Sequence, residues 1–187
     1  AAARGAEGAG GPDTPVGRLL LATDVPAVVD ADGITALGSI AAVRAVTSRR
    51  GAPIVLTPHE GEYAKLTGHP PADDRIADVR ATAVQTGAVV LLKGSATVLS
   101  DPAGRVMVAT AGRPNLATAG SGDSLTGIIA AFLARGVEPL EAAALAAHAH
   151  GRAAGLGRPE GLIASDLPEL VADYLSAVAG TPLAATS

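Results

Sequence analysis

The sequence has no cysteine and no tryptophan, and aromatic side chains make up only 2% of its 187 residues. Without cysteine, neither a disulfide framework nor a thiolate zinc site can form. The scarcity of aromatic residues leaves Ala, Val, Leu and Ile to build the core, and a hydrophobic content of 48% supplies enough of them. The length suits one domain, since single domains commonly have about 100–200 residues.

Blocks of charge and long apolar runs are also missing. The formal net charge is −4, and the 14 Lys and Arg residues are dispersed, so neither nucleic acid nor an anionic membrane is expected as the main partner. No apolar run is long enough to span a bilayer, and the N-terminus lacks the pattern of a secretory signal. The four His residues are too scattered to indicate a metal cluster. These absences favour a cytoplasmic enzyme.

Secondary-structure signals begin after an Ala-, Gly- and Pro-rich start. Residues 1–17 have no apolar periodicity, which predicts a disordered arm, and order is expected from about Arg18. Short apolar runs predict buried strands at 25–29, 53–57 and 88–92. Helical spacing predicts helices at 35–49, 60–66, 73–86, 121–135, 139–155 and 166–179. Residues 181–187 are expected to form a tail.

The spacing of the apolar residues changes in the middle of the chain. Residues 96–100 and 105–109 flank Asp101-Pro102-Ala103-Gly104, and this turn chemistry predicts a hairpin near 96–109. The helix at 139–155 is apolar nearly all round, so it is expected to be packed on both sides. Alternating strands and helices predict an α/β fold with a mostly parallel sheet flanked by helices.

The most promising candidate site lies at Ala119-Gly120-Ser121-Gly122-Asp123, where a glycine-rich loop enters a helix. Unpaired N–H groups at a helix start can receive an anion, and glycine permits close approach of the backbone. Gly120, Ser121 and Gly122 are therefore the predicted anion hole, with Asp123 beside it as a base. A common structural role competes with this interpretation, because Ser or Asp often caps a helix after a glycine loop.

Ligands of parallel α/β sheets bind beyond the carboxyl ends of the strands, so the residues that follow each strand are the next candidates. Lys93 ends a buried strand, where an unpaired ammonium is costly, and a phosphate would supply a partner. The alternative is that Lys93 simply reaches solvent. His59 and Glu62 follow another strand; His59 could donate to a substrate, and Glu62 could hold a metal-bound water.

Structural roles are the alternative for several of the polar residues. His59 and Glu62 could equally be a surface histidine and a helix-start glutamate. Asp30 and Asp32 follow the first strand, and structural roles are favoured for both. His148 and His150 lie in an Ala-rich helix and are interpreted as packing or surface residues.

Four segments together resemble a single family: residues 28–33, 56–62, 92–97 and 119–127. They are similar in order and spacing to the C-terminal, carbohydrate-kinase-like domain of NAD(P)HX dehydratase, an ADP- or ATP-dependent repair enzyme of the ribokinase-like superfamily. The Gly-Ser-Gly-Asp segment marks only the wider superfamily. The Thr57-Pro58-His59 segment is more specific, since many small-molecule kinases of this superfamily have Asn where His59 stands.

The resemblance implies a function and a set of site residues. The implied substrates are NADHX and NADPHX, which are dehydrated back to NADH and NADPH with ADP or ATP and Mg²⁺. Asp123 would be catalytic and, with His59, would contact the hydrate, while Glu62 would contact the metal through a bound water. The residues implied to contact the nucleotide are Lys93, Gly94, Ser95, Ala96, Thr97 and Gly122. The resemblance also implies a homo-oligomer and allows an epimerase domain in the same polypeptide.

The N-terminus departs from the family pattern. Family members have further strands and helices before the strand that precedes Asp30, including a glycine-rich turn that helps to hold the substrate, and residues 1–15 stand in that place here. The sequence therefore predicts an N-terminally incomplete ribokinase-like domain over 18–180. Two alternatives stay open: a vitamin-precursor kinase of the same fold, and a truncated, non-catalytic domain that binds nucleotide.

Overall fold

The computed structural model describes residues 10–180, so the tail predicted at 181–187 and the first nine residues of the predicted arm lie outside the described residues. The described chain forms five strands and eight α-helices. The strands are β1 (Ala27–Val29), β2 (Ile54–Leu56), β3 (Val89–Leu92), β4 (Thr97–Ser100) and β5 (Val106–Ala109). The helices are α1 (Pro15–Ala22), α2 (Asp32–Leu37), α3 (Ile40–Thr47), α4 (Glu60–Thr67), α5 (Arg75–Thr86), α6 (Ser121–Ala134), α7 (Pro139–Ala154) and α8 (Leu167–Val178).

The strands lie side by side in the order β1-β2-β3-β4-β5. β1, β2 and β3 are parallel, while β4 and β5 continue the sheet as an antiparallel hairpin. The α/β fold and the hairpin predicted near 96–109 are therefore confirmed. The hairpin turn is closed by a hydrogen bond from the Gly104 amide to the Asp101 carbonyl at 3.0 Å. Gly104 has φ +84°, a conformation that glycine adopts without steric cost.

The strand residues alternate between two apolar layers, one on each face of the sheet. Ile54, Leu56 and Val90 belong to the layer packed under α1 to α5. Val55 and Leu91 belong to the layer packed under α6 and α7. This alternation follows from the period of two along a strand. It buries both faces of the sheet and leaves the carboxyl ends of β1, β2 and β3 free to carry polar side chains.

Helix α7 is packed as its composition predicts. It lies between α6 and α8 and also contacts the sheet. Its buried positions, among them Ala142, Ala146, Ala149 and Ala153, follow helical spacing. Across residues 10–180, none of the helices combines the length and the apolar character needed to cross a membrane.

Two sequence predictions were wrong in detail. Order begins before Arg18, because α1 starts at Pro15 inside the predicted 1–17 arm. The Thr14 side chain caps this helix by accepting a hydrogen bond from the Gly17 amide at 3.0 Å, and proline is favourable at the first helical position. The predicted helix 35–49 is divided into α2 and α3, because Gly38 adopts φ +85° and Ser39 caps a new helix.

Candidate active site

A cavity of about 1010 Å³ lies beyond the carboxyl ends of β2 and β3, between the loop after β3 and the start of α6. Most of the residues predicted for the site line this cavity: His59, Lys93, Gly94, Ser95, Thr97, Ser121 and Gly122. The other predicted residues adjoin these in sequence but do not line it: Glu62, Ala96, Gly120 and Asp123. The fold thus brings three separated segments together around one volume large enough for a nucleotide.

Lys93 is paired within the protein. Its Nζ lies 2.8 Å from Asp30 Oδ1, and the Thr126 hydroxyl donates to Asp30 Oδ2 at 3.1 Å. The Lys93 and Asp30 side chains are 23% and 12% exposed, so this charge-assisted pair is largely shielded from water. The partner of Lys93 in the structure is thus a carboxylate, whereas the sequence suggested a phosphate or solvent. Asp30 has the structural role that was favoured for it, but it performs that role inside the site.

His59 and Glu62 form a capping box at the start of α4. The His59 Nδ1 accepts hydrogen bonds from the amides of Gly61 and Glu62, at 2.9 and 3.3 Å. In return, Glu62 Oε2 accepts from the His59 amide at 2.9 Å, and Glu62 Oε1 lies 3.3 Å from His59 Nε2. The His59 ring stays 60% exposed, whereas Glu62 is buried. His59 therefore caps α4 while most of its ring stays exposed beside the cavity.

Glu62 connects this box to the charged pair. Its Oε2 lies 3.8 Å from Lys93 Nζ, so Lys93 stands between two carboxylates, those of Asp30 and Glu62. Two carboxylates and one ammonium leave an excess of negative charge at the base of the cavity. A phosphate placed here needs additional positive charge, from helix amides or from a cation.

The start of α6 offers unpaired amides rather than a side-chain cap. The N-cap is Gly120, with φ +84°, and no side chain caps this helix. Ser121 and Asp123 donate their amides to the carbonyls of Thr118 and Gly120, at 3.3 and 3.1 Å. The amides of Gly120 and Gly122 make no hydrogen bond with another described residue, so they are free to receive an anion.

Asp123 is not a helix cap. It is the third residue of α6, it is exposed, and its carboxylate makes no hydrogen bond within residues 10–180. The capping interpretation of Asp123 was therefore wrong. The preceding residue, Gly122, faces the Lys93–Asp30 pair, since a Cβ at this position would lie 3.4 Å from Asp30 Oδ2 and 3.5 Å from Lys93 Nζ.

The loop after β3 passes over the partly buried side chain of Arg75. A Cβ on Gly94 would lie only 2.9 Å from Nη2 of Arg75, so a larger side chain there would have to displace the guanidinium. Arg75 Nη1 is held by Glu60 Oε1 at 2.6 Å. Gly94, Ser95 and Thr97 of this segment line the cavity, and Ala96 does not.

His150, interpreted from the sequence as a packing or surface residue, is buried and also lines the cavity. It is only 6% exposed. Burial lowers the pKa of its imidazole to about 4, against a smaller opposing effect of a hydrogen bond with the Ser121 backbone. The spacing could have indicated a buried position, because His150 follows Ala146 by four residues and precedes Ala153 by three on the same face of α7. His148 is exposed and hydrogen-bonds Tyr174.

The described residues contain no group of three His, Asp or Glu side chains arranged to hold a metal ion. Mg²⁺ is commonly bound through one or two carboxylates together with phosphates and waters, and the carboxylates of Asp30 and Glu62 beside Lys93 are of that kind. Glu62 is the buried carboxylate beside the cavity that could hold a metal-bound water, and the excess negative charge at the cavity base favours a cation there.

Comparison with known proteins gives a consistent result. Residues 9–176 match the family model described as NAD(P)H-hydrate dehydratase. The chain is 47% identical over 136 residues to the bifunctional NAD(P)H-hydrate repair enzyme Nnr of Mycobacterium leprae, which covers 73% of the chain and 28% of that enzyme. It is 40% identical over 157 residues to the ADP-dependent (S)-NAD(P)H-hydrate dehydratase of Neisseria meningitidis, covering 82% of the chain and 53% of that protein.

Solved structures show the same relationship. The ADP/ATP-dependent NAD(P)H-hydrate dehydratase of Bacillus subtilis, co-crystallised with ATP and Mg²⁺, superposes with a TM-score of 0.71 at 30% identity. The match covers 84% of this chain and 56% of that one. A ribokinase-like protein of Enterococcus faecalis gives a TM-score of 0.58 at 27% identity, covering 79% and 52%. The chain thus spans between about a quarter and a little over half of the length of these relatives.

Proposed function

This chain belongs to the NAD(P)H-hydrate dehydratase family, and from that premise we propose that it binds ADP or ATP and dehydrates NADHX and NADPHX to NADH and NADPH. The observation that carries the proposal is the position of Gly122. Its Cα faces both members of the Lys93–Asp30 pair, so the free amides of α6 and the charged strand ends meet at one point of the cavity. Phosphoryl transfer needs such a point, because its catalysis is largely positioning and charge stabilisation.

The nucleotide occupies the cavity in this proposal. Its terminal phosphate lies against the Gly120 and Gly122 amides, where the helix start favours negative charge. Lys93 is shared between Asp30 and the phosphates, and the loop from Gly94 to Thr97 lies along the nucleotide. Mg²⁺, when bound, neutralises charge between the phosphates, with Glu62 contacting it through water.

The hydrate lies on the exposed side of α6, where it reaches Asp123 and His59. Asp123 accepts the proton of the hydroxyl on the hydrated nicotinamide ring while that oxygen bonds to the transferred phosphorus and the phosphorus–oxygen bond to the nucleotide breaks. Electrons of the ring nitrogen then expel phosphate by breaking the carbon–oxygen bond, and a neighbouring ring carbon loses a proton. With ADP as donor, the products are NADH, phosphate and AMP.

The exposure of Asp123 suits this role, because within residues 10–180 its carboxylate is not held by another group and is open to a substrate. His59 keeps 60% of its ring exposed beside the cavity. Because its Nδ1 accepts from two backbone amides, the ring N–H of a neutral His59 is on Nε2, which lies 3.3 Å from Glu62 Oε1 and is shared between that carboxylate and the hydrate in this proposal.

The test is a turnover assay with NADHX, ADP or ATP, and Mg²⁺. We expect the absorbance of NADH to return together with one AMP, from ADP, for each NADH formed. A vitamin-precursor kinase would instead leave NADHX unchanged and accumulate a stable phosphate ester of a hydroxymethylpyrimidine or a hydroxyethylthiazole. Binding of ADP with no turnover of either kind would support the non-catalytic alternative. The homo-oligomer, and an epimerase domain in the same polypeptide, stay predictions.

A further inference from the structure

One of the two cations that line the cavity has no counter-charge. Of the Lys and Arg residues between positions 10 and 180, Lys93 and Arg113 line the cavity. Lys93 is paired with Asp30, whereas the Arg113 side chain takes part in none of the ion pairs or hydrogen bonds within that range. Arg113 is exposed. It therefore brings to the cavity a positive charge that no described carboxylate neutralises.

The backbone at Arg113 is held in place by its neighbours. It is extended, with φ −120° and ψ 151°, as expected for a residue that precedes a proline. The short 3₁₀ turn that follows, Pro114–Leu116, is tied to the end of α7, because Asn115 Nδ2 donates to the Ala154 carbonyl at 2.9 Å. The point from which the Arg113 side chain extends is thus fixed, while the side chain itself is unpaired within the described chain.

The same turn is joined to the predicted anion hole. The Leu116 amide donates to the Arg113 carbonyl at 3.0 Å, and the Ser121 hydroxyl donates to the Leu116 carbonyl at 2.8 Å. These two hydrogen bonds bring Arg113 close to the start of α6, so its long side chain can reach an anion bound at the amides of Gly120 and Gly122. It would supply the additional positive charge that a phosphate in this cavity needs.

We propose that Arg113 is a phosphate-binding residue, whose guanidinium donates hydrogen bonds to a phosphate group of a ligand in the cavity. A guanidinium suits this role, because it stays charged and its paired N–H groups match the spacing of phosphate oxygens. The inference rests on the proposed function and adds a residue that the family resemblance does not imply. Two sources of phosphate are available, the diphosphate of ADP and the 2′-phosphate that distinguishes NADPHX from NADHX.

Calorimetry with ADP tests the first source. Arg113→Gln keeps a polar side chain but removes the charge, and we expect it to weaken ADP binding about tenfold, because charge-assisted hydrogen bonds are lost. Adenosine has no phosphate and should bind this variant as it binds the unaltered protein. Arg152→Gln is the matched control, since Arg152 is exposed in the last turn of α7 and does not line the cavity. It should bind ADP normally.

Turnover at saturating ADP tests the second source. If the guanidinium binds the 2′-phosphate, Arg113→Gln should raise the KM for NADPHX about tenfold and leave the KM for NADHX unchanged. If it binds the diphosphate, the two substrates should keep their ratio of KM values while ADP binding is weakened. Either result, or both effects together, supports the inference.

The outcomes separate this inference from the proposed function. If the unaltered protein neither binds ADP nor restores NADH from NADHX, both are wrong. If it binds ADP without turnover, dehydration is wrong and the ADP titration alone decides the role of Arg113.

Two results would overturn the inference alone. The first is an Arg113→Gln variant that matches Arg152→Gln in ADP affinity and in both KM values. The second is equal weakening of ADP and adenosine binding by Arg113→Gln, because the contact would then be with the base or the ribose. Thermal unfolding without ligand checks that both variants are folded, and both should have the Tm of the unaltered protein because both residues are exposed.

Discussion

Lys93 Nζ and Asp30 Oδ1 form an ion pair at 2.8 Å across the end of β2, although 63 residues separate them in the chain. β1 and β3 both lie parallel to β2 and on opposite sides of it, so the residues that follow them are brought to the same edge of the sheet. The pair fixes the ammonium at the base of the cavity, so a phosphate need not order it on binding.

Lys93→Ala should reduce both stability and nucleotide affinity. It leaves the Asp30 carboxylate largely buried with only Thr126 as a partner, and loss of a charged hydrogen bond commonly costs about 1.5–3 kcal/mol of unfolding free energy. Urea unfolding and ADP titration measure the two effects. Lys65→Ala is the control, since Lys65 is exposed on α4. Equal stability of the two variants would show that the pair contributes nothing.

His59→Asn should separate capping from substrate binding. Asn is a favoured N-cap residue, so α4 keeps its start and the unfolding free energy changes little. His59→Ala lacks a capping acceptor and should lose about 0.5–2 kcal/mol. Both variants should raise the KM for NADHX, because both lack the ring N–H. A normal KM in His59→Asn would limit His59 to capping.

Asp123→Asn should abolish dehydration while leaving ADP affinity within a few-fold. The side chain is exposed and unpaired, so its loss should cost no more than the effect of a helix dipole, about 0.3–1 kcal/mol. Glu169→Gln is matched to it, because Glu169 is the third residue of α8, as Asp123 is of α6. That control should show a similar small change in stability with full activity. Residual turnover in Asp123→Asn close to that of the control contradicts a catalytic role.

Gly122→Ala should fold but bind nucleotide poorly. The added methyl group would make ordinary contacts with Asp30 and Lys93, at 3.4 and 3.5 Å, and would stand where a phosphate approaches. Gly127→Ala, on the same helix, meets nothing within 4 Å. It should gain about 0.5–1 kcal/mol of stability, because alanine is favoured in helices, with unchanged ADP affinity. Thermal unfolding with and without ADP distinguishes these results.

Acid should destabilise the folded protein through His150. The unfolded chain takes up a proton on this ring near pH 6.5, whereas the pKa of the buried ring is about 4. Stability from this group is therefore complete above pH 6.5 and is lost as the pH falls from 6.5 to 4, by roughly 3 kcal/mol in all. Urea unfolding of the unaltered protein should decline more steeply over this interval than that of His150→Phe. Parallel curves would show that His150 is not buried in neutral form.

The sequence predicted the elements and the edge of the sheet where the site lies, because these depend on local periodicity and on a general property of parallel sheets. It did not predict which side chains pair there. Lys93 was assigned to phosphate or solvent, since its partner Asp30 is distant in sequence and their contact depends on strand order. The choice between packing and the surface stayed open for His150, because an alanine-rich helix gives little contrast between its faces.

Some helix boundaries were also not predictable from the sequence. The apolar pattern continues through Gly38 and Ser39, so periodicity alone extended one helix across them. The positive φ of Gly38 and the hydrogen bond from the Ala42 amide to the Ser39 side chain decide the break, and neither has an apolar signal. At Pro15 the opposite occurs: a capping threonine and a proline begin a helix before any apolar periodicity is visible.

The order of strands in the sheet, which repeats their order in the chain, has a consequence for folding. Each strand pairs with the strand made just before it, so the sheet can grow as the polypeptide leaves the ribosome. The candidate site cannot form in this stepwise way, because the hydrogen bond from Thr126 to Asp30 joins residues that are 96 positions apart in the chain. A nascent chain that ends before α6 would have the sheet and the Lys93 segment, but the candidate site would be complete only when α6 is synthesised and docks.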